Sequence, residues 1–266
     1  MTTPSLRERS CPVCGGEGRV YDAHVDVEHA RYGLAADAVP LRRCASCGMR
    51  FFDLIEGVNT HGEVYASMTL SASLPKRRHR LFARLLPVLG ARGLELGSGA
   101  CHVGRLVGSE VSVTAVDANP QCDGAPAHLE FVDANITALE DSAFPAESFD
   151  WVLIDNVLEH LPSFVDLLAQ ARRWLKAEGR IVVSVPNGRT LRRHLGGRHL
   201  REVFRPVEHV NIFDPATLDG AFARVHCIPT RAFLLPKNVF EVGAVSSLLG
   251  WAPFGLYRAY RKVPAR

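Results

Sequence analysis

From residue 92 onward the hydrophobic positions fall into short apolar runs, each closed by an acid or a turn residue. GLEL at 93–96 predicts a buried strand running into a glycine loop. VSVTAVD at 111–117 and HLEFVDA at 128–134 predict two more strands, closed by Asp117 and Asp133. FDWVLIDN at 149–156 is mostly apolar, as a strand covered on both faces must be. RIVVSVPN at 180–187 predicts a fifth strand that Pro186 stops. Between them, HVGRLVG reads as a weak helix start, and FVDLLAQARRWLKAE at 163–177 as an amphipathic helix closed by Gly179. Short strands alternating with helical stretches specify an α/β fold, a doubly wound Rossmann-like sandwich.

Outside this region the pattern is thinner. Leu81, Leu85, Leu86 and Leu89 recur at helical spacing and predict a helix over 76–89, which Pro87 bends or ends early. His79, in the basic KRRHR at 76–80, is assigned to the polar face of that helix. Asp214-Pro215 predicts another helix start, with Leu218 and Phe222 on one face. The chain then divides into a cysteine-bearing module (1–52), a connector and leading helix (53–91), a core with a basic insertion on the substrate side (92–227) and a C-terminal extension (228–266) without a readable pattern.

With 266 residues, 47% hydrophobic and 22% charged, the chain can bury a real core. A net charge of +3 is too small to name a partner, but six arginines crowd the stretch from Arg189 to Arg205. No apolar window is long enough to span a membrane, and the N-terminus has no signal-peptide core, so a cytoplasmic location is expected.

Four of the seven cysteines form two tight pairs, Cys11-x2-Cys14 and Cys44-x2-Cys47, each followed by glycine. Four thiolates on two tight turns suit tetrahedral zinc and leave no open position, so a zinc-ribbon-like module with a structural metal is expected. An iron–sulfur cluster shares this ligand set. Removing the metal is expected to unfold 11–52 and leave 92–187 folded.

The stretch LELGSGACHVG places Gly97-Ser98-Gly99 directly after a strand. The dinucleotide fingerprint GxGxxG would need glycine at 102, where the chain has His102, and no GKS or GKT phosphate loop occurs. Glu95 beside the loop would repel a pyrophosphate, yet suits a ligand carrying an ammonium and a sulfonium. The loop chemistry points to S-adenosylmethionine. Cys101 reads as a buried, inert thiol.

The ordered set GLELGSGACHVGRL, AVDANP, FVDANI, FDWVLIDNVLEHLP and IVVSVPN resembles a class I S-adenosylmethionine-dependent methyltransferase of the small-molecule type. The resemblance covers about residues 78–226. It implies that Glu95 holds the methionine end while Gly97, Ser98 and Gly99 pass beneath the cofactor. Asp117, with Ala118 after it, would bind the ribose. Asp133 would meet the adenine amino group, and Ala134 would offer a backbone amide to the ring. Ile154 and Asp155 would lie along the methionine and the methyl group, and Tyr65 would fold over the cofactor. The catalytic candidates are His160, in NVLEHLP, and His209, in PVEHVNIF, with Glu159 and Glu208 as groups that orient them.

The cysteine-paired module ahead of such a domain resembles sugar and natural-product carbon-methyltransferases. The fourth strand has IDNVLEH where nucleobase and amide-nitrogen methyltransferases carry an NPPY- or DPPY-type block. In look-alikes the LEH-type block goes with oxygen, carbon or amine acceptors on small metabolites. A phosphate- or diphosphate-bearing acceptor, such as a nucleotide-linked sugar, would account for the arginines. Two alternatives stand beside this: an RNA methyltransferase using the module and the basic stretch as a nucleic-acid surface, and a non-enzymatic zinc-ribbon adaptor.

Overall fold

The computed structural model describes residues 5–26, 29–35, 37–59, 74–118, 124–188, 203–230 and 255–264. Tyr65, Cys122 and the part of the arginine run at 189–202 lie outside them. The N-terminal region builds β1 (Leu6–Arg7), β2 (Gly18–His24), β3 (Val39–Cys44), β4 (Arg50–Phe52) and β5 (Leu54–Ile55). Helix α1 (Arg77–Leu85) follows and tightens into a 3-10 turn over Leu86–Leu89, because Pro87 lacks the amide that would continue it.

The core alternates as its apolar runs predict. β6 (Arg92–Leu96) leads through the glycine loop into the short helix α2 (His102–Leu106). Then come β7 (Ser112–Asp117), β8 (Leu129–Asp133), β9 (Phe149–Asp155), helix α3 (Val165–Trp174) and β10 (Leu175–Pro186). The helix expected over 163–177 stops at Trp174, and the chain is extended from Leu175, which pairs with Phe149. After β10 come β11 (Asn211–Ile212), helix α4 (Pro215–Arg224), β12 (Cys227–Pro229) and β13 (Gly255–Lys262). Helix α4 starts as expected: the Asp214 carboxylate accepts from the Thr217 amide (3.0 Å), and Leu218 and Phe222 are fully buried.

Seven strands form the central sheet in the order β12–β13–β10–β9–β6–β7–β8. Strands β6 to β10 run parallel, whereas β13 is antiparallel to both β10 and β12. Successive side chains of β9 serve opposite layers. Val152 and Ile154 join the core that includes α3 and α4, while Trp151 and Leu153 join the core beneath α1 and α2. The boundary expected at 228 is not a packing boundary: Leu256 and Tyr260 of β13 belong to the first of these cores.

Nor is the cysteine module separate. Its sheet runs β11–β4–β3–β2, so its outer strand is contributed by the chain that follows β10. Cys11, Val13, Cys44, Met49 and Phe51 pack in the same cluster as the central strands. Residue 52 ends a stretch of sequence, not a unit of packing.

Gly93 in β6 lies against its registered partner Trp151, and a Cβ there would stand 2.0 Å from the indole ring. Gly93→Ala is expected to cost at least about 1–3 kcal/mol by overpacking. Urea denaturation would show a lower midpoint at unchanged slope; an unchanged midpoint would contradict this packing.

Candidate active site

The chain passes from β6 outward to β7 and β8, then returns to place β9 on the other side of β6. In an open parallel sheet such a reversal leaves a crevice beyond the carboxyl ends of the two strands. Here those ends carry the glycine loop and Asp155. Gly97 and Gly99 have φ of 70° and 52°, the left-handed region that a side chain resists. A Cβ on Gly97 would also lie 2.5 Å from Val157. The Gly99 amide donates to Asp117 Oδ2 (2.8 Å), so the acid that ends β7 also fixes the loop.

Glu95 is 5% exposed, and one of its oxygens accepts from the Gly104 amide (3.2 Å). Burial pushes its carboxyl up to about 8; the Gly104 amide opposes this, and the negative charges of Asp155 and Asp117 reinforce it. Asp133 is exposed and pairs in register with Asp117, so both stand at neighbouring strand ends. Ala118 lies beside them, exposed. The Ala134 amide donates to the Asp117 carbonyl (3.1 Å), so it is not offered to a ring as expected. Ile154 points into the core, fully buried. Cys101 is buried and disulfide-bonded, which corrects the expectation of a free thiol.

Asp155 is heavily partnered. Arg78 Nε donates to both of its oxygens (3.0 and 2.9 Å), His79 Nε2 lies 3.3 Å away, and the Ser184 hydroxyl donates to Oδ1. Burial alone would push this carboxyl up, but His79, Arg78 and Ser184 outweigh it and hold it below its usual value. His79 is thus 7% exposed inside the site, not on a polar face as expected, and its ring stacks on His102 at 4.8 Å. Helical spacing marked Arg78 and His79 only as polar, because their partner lies 77 residues away for Arg78. Nothing in the local sequence marks Ser184.

The turn after β9 carries Glu159 and His160, and the segment before β11 brings His209 against them, with ring centroids 4.9 Å apart. His160 Nδ1 meets the Glu208 carbonyl (2.9 Å), and His209 Nδ1 meets the Val203 carbonyl (3.1 Å). Burial holds both imidazoles down, to about 3 and about 4, with His209 adding to the effect on His160. The Glu208 carboxylate accepts from Arg205 (2.5 Å). The turn is held from behind by Asn211. Its side-chain amide donates to the carbonyls of Leu158 (2.9 Å) and Leu161 (2.7 Å), and its backbone amide to Glu159 (3.0 Å).

In the N-terminal region, the four paired cysteines converge. Their Sγ atoms stand 3.5 Å (Cys11–Cys47), 3.5 Å (Cys14–Cys44) and 3.6 Å (Cys14–Cys47) apart. A tetrahedron with zinc–sulfur bonds of about 2.3 Å has edges of about 3.8 Å, so the thiols are already nearly at metal-binding spacing. Gly15 and Gly48 turn the chain with φ of 71° and 75°. A Cβ on Gly16 would press on Cys14 Sγ at 3.3 Å. Among the described residues no helix is long and apolar enough to cross a membrane.

A family model described as a methyltransferase domain matches residues 68–226. Among solved structures, the chain is similar to an S-adenosylmethionine-dependent methyltransferase from Archaeoglobus fulgidus, with 18% identity over 70% of this chain and 93% of that one, at a TM-score of 0.51. It is also similar to the 1,6-didemethyltoxoflavin N1-methyltransferase of Burkholderia thailandensis, solved with 1,6-didemethyltoxoflavin and S-adenosylhomocysteine. That match has 18% identity over 71% and 78% of the two chains, at a TM-score of 0.49. At these identities the likeness is one of fold. No curated protein matches the chain.

The raised Glu95 carboxyl has a consequence for stability. A folded-state value near 8, above the ordinary 4.5, means the folded chain holds this proton more tightly than the unfolded chain. Its contribution is complete below the unfolded value and is lost as pH rises through the folded one. Glu95→Gln lacks that loss, so it should gain stability relative to wild type between about pH 5 and about pH 9. Thermal unfolding of both chains without ligand checks this; parallel pH profiles would contradict it.

Proposed function

The chain belongs to the methyltransferase-domain family, and we propose that it transfers a methyl group from S-adenosylmethionine to oxygen, carbon or amine of a small metabolite. Glu95 carries the cofactor assignment. It is a buried carboxyl beside a two-glycine loop, held largely protonated by burial, and it gains most from a ligand that brings positive charge. The loop agrees with this: Gly97 and Gly99 take positive φ, so the chain turns here with no side chain between its backbone and a ligand.

Glu95 would take the methionine ammonium, with Gly97, Ser98 and Gly99 beneath the cofactor. Asp117 and Ala118 would face the ribose, and Asp133 the adenine, with Ala134 fixing the two strand ends through the Asp117 carbonyl. Ile154 and Asp155, at the end of β9, would bound the methionine, with Asp155 held in place by Arg78 and His79. Bound S-adenosylmethionine supplies an already activated methyl group for an in-line displacement, so the protein's main task is to align the acceptor. His160 and His209 sit on the turn beyond β9 and would form the acceptor side. A phosphate-bearing acceptor is supported by the arginine content of 189–205, of which Arg205 is engaged by Glu208.

The four cysteines would hold a structural zinc, as their pairing and sulfur separations support. Its effect would reach the site through Arg9. This side chain donates to the carbonyls of Phe52 (2.9 Å), Pro162 (2.9 Å) and Val210 (2.5 Å) and to Asn211 Oδ1 (2.9 Å).

Asp117→Ala should weaken S-adenosylmethionine binding by roughly tenfold to a hundredfold, the loss of charged hydrogen bonds. Isothermal titration giving equal affinity would remove Asp117 from the site, and no binding by the wild type would sink the assignment. A screen for S-adenosylhomocysteine release over nucleotide sugars, phenols and transfer RNA tests the acceptor class, and release with RNA alone would overturn it. Chelation should raise hydrogen exchange in 11–52 and also in 158–161 and 209–212, while β6 to β9 stay protected. Exchange confined to 11–52 would show that the module does not brace the turn.

A further inference from the structure

We propose that Glu159, His160 and His209 form a second metal site, which takes a divalent cation of borderline hardness, such as Zn2+ or Fe2+, through one carboxylate and two imidazoles. The first observation is convergence. One ligand atom from each residue lies within 4.8 Å of the others, although His209 arrives from a segment some 50 residues further along the chain. The second is the state of the carboxylate. Glu159 is 1% exposed, and neither of its oxygens has a hydrogen-bond partner. A buried carboxyl group without partners costs free energy that a cation at this position would recover.

The orientation of the rings agrees. Each imidazole directs Nδ1 to a backbone carbonyl, Glu208 for His160 and Val203 for His209. That outer contact turns the Nε2 edge inward, the way ligating histidines are commonly held. His160 Nε2 already stands 3.7 Å from Glu159 Oε1. The His160 ring also hydrogen-bonds the Asn156 carbonyl, a contact that coordination would replace. Ligand atoms around such an ion sit about 3.3 Å apart, so closure needs side-chain movements of about 1 Å.

The donor set differs from that of the four paired cysteines. Oxygen and imidazole nitrogen suit zinc, iron, manganese, cobalt or nickel. Three protein ligands leave a position open, and both histidines are only partly buried, so an acceptor oxygen could complete the sphere. The site stands apart from the cofactor assignment, which needs neither histidine as a ligand.

The test uses the full chain with its cysteine site first filled by one equivalent of zinc, followed by titration with Co2+. A second equivalent is expected, with visible ligand-field bands and no thiolate charge transfer. Glu159→Gln and His209→Ala should each weaken that second equivalent at least tenfold while the first is retained and the circular dichroism is unchanged. A wild-type chain that takes no second equivalent overturns the proposal, whatever the variants do. Variants that bind the second cobalt as tightly as wild type place it elsewhere and overturn it equally. Calorimetry with S-adenosylmethionine on the same samples reports the cofactor assignment separately.

Discussion

One buried asparagine joins the three parts of this molecule. Asn211 is 1% exposed, and its four hydrogen bonds reach Leu158, Glu159, Leu161 and Arg9. It sits in β11, the strand that completes the sheet of the cysteine module, and it clips the turn beyond β9. In a low-dielectric interior each such bond is hard to replace, because a lost partner leaves a polar group stranded. The position of the turn that carries Glu159 and His160 is therefore set from outside the central sheet. Arg9 adds a second strut, since one guanidinium spans Phe52, Pro162 and Val210.

The crevice collects acids on one side of the sheet, and their fates diverge with their partners. Asp155 has Arg78, His79 and Ser184 and keeps its charge. Glu95 and Glu159 are buried with no lysine or arginine in contact among the described residues, and both are pushed up to about 8. Burial is the main cause in both, and neighbouring negative charge adds to it. A site that leaves carboxyls short of positive charge is prepared for ligands that bring it. The glycine loop places the backbone beside the first of them, and the two imidazoles stand beside the second.

Much of the fold was legible in the chain because its signals are local. Apolar runs of four to eight residues located β6 to β10 to within a few residues, and Asp214-Pro215 located the start of α4. The glycine loop and the acids at the strand ends were visible for the same reason: a parallel sheet puts functional groups where strands stop. The strand β13 was missed, although Leu256, Arg258 and Tyr260 alternate with Tyr257, Ala259 and Arg261. Its inner residues mix ring, charge and small side chains, which blurs the apolar pattern. His79 was misread because helical periodicity shows only that a residue is polar, not whether an acid from another strand will meet it.

The sequence by itself determined the elements, the glycine loop and the paired cysteines, since backbone conformation and tight-turn ligand spacing are properties of neighbouring residues. Only the tertiary structure decided that the cysteine module shares its sheet with residues 211–212, that Arg78 and His79 close on Asp155, and that His209 meets Glu159 and His160. Those contacts join residues far apart along the chain, and their energies depend on burial, which no local pattern encodes. The order of strands in the sheet sets them: placing β9 beside β6 assembles the crevice from both sides at once.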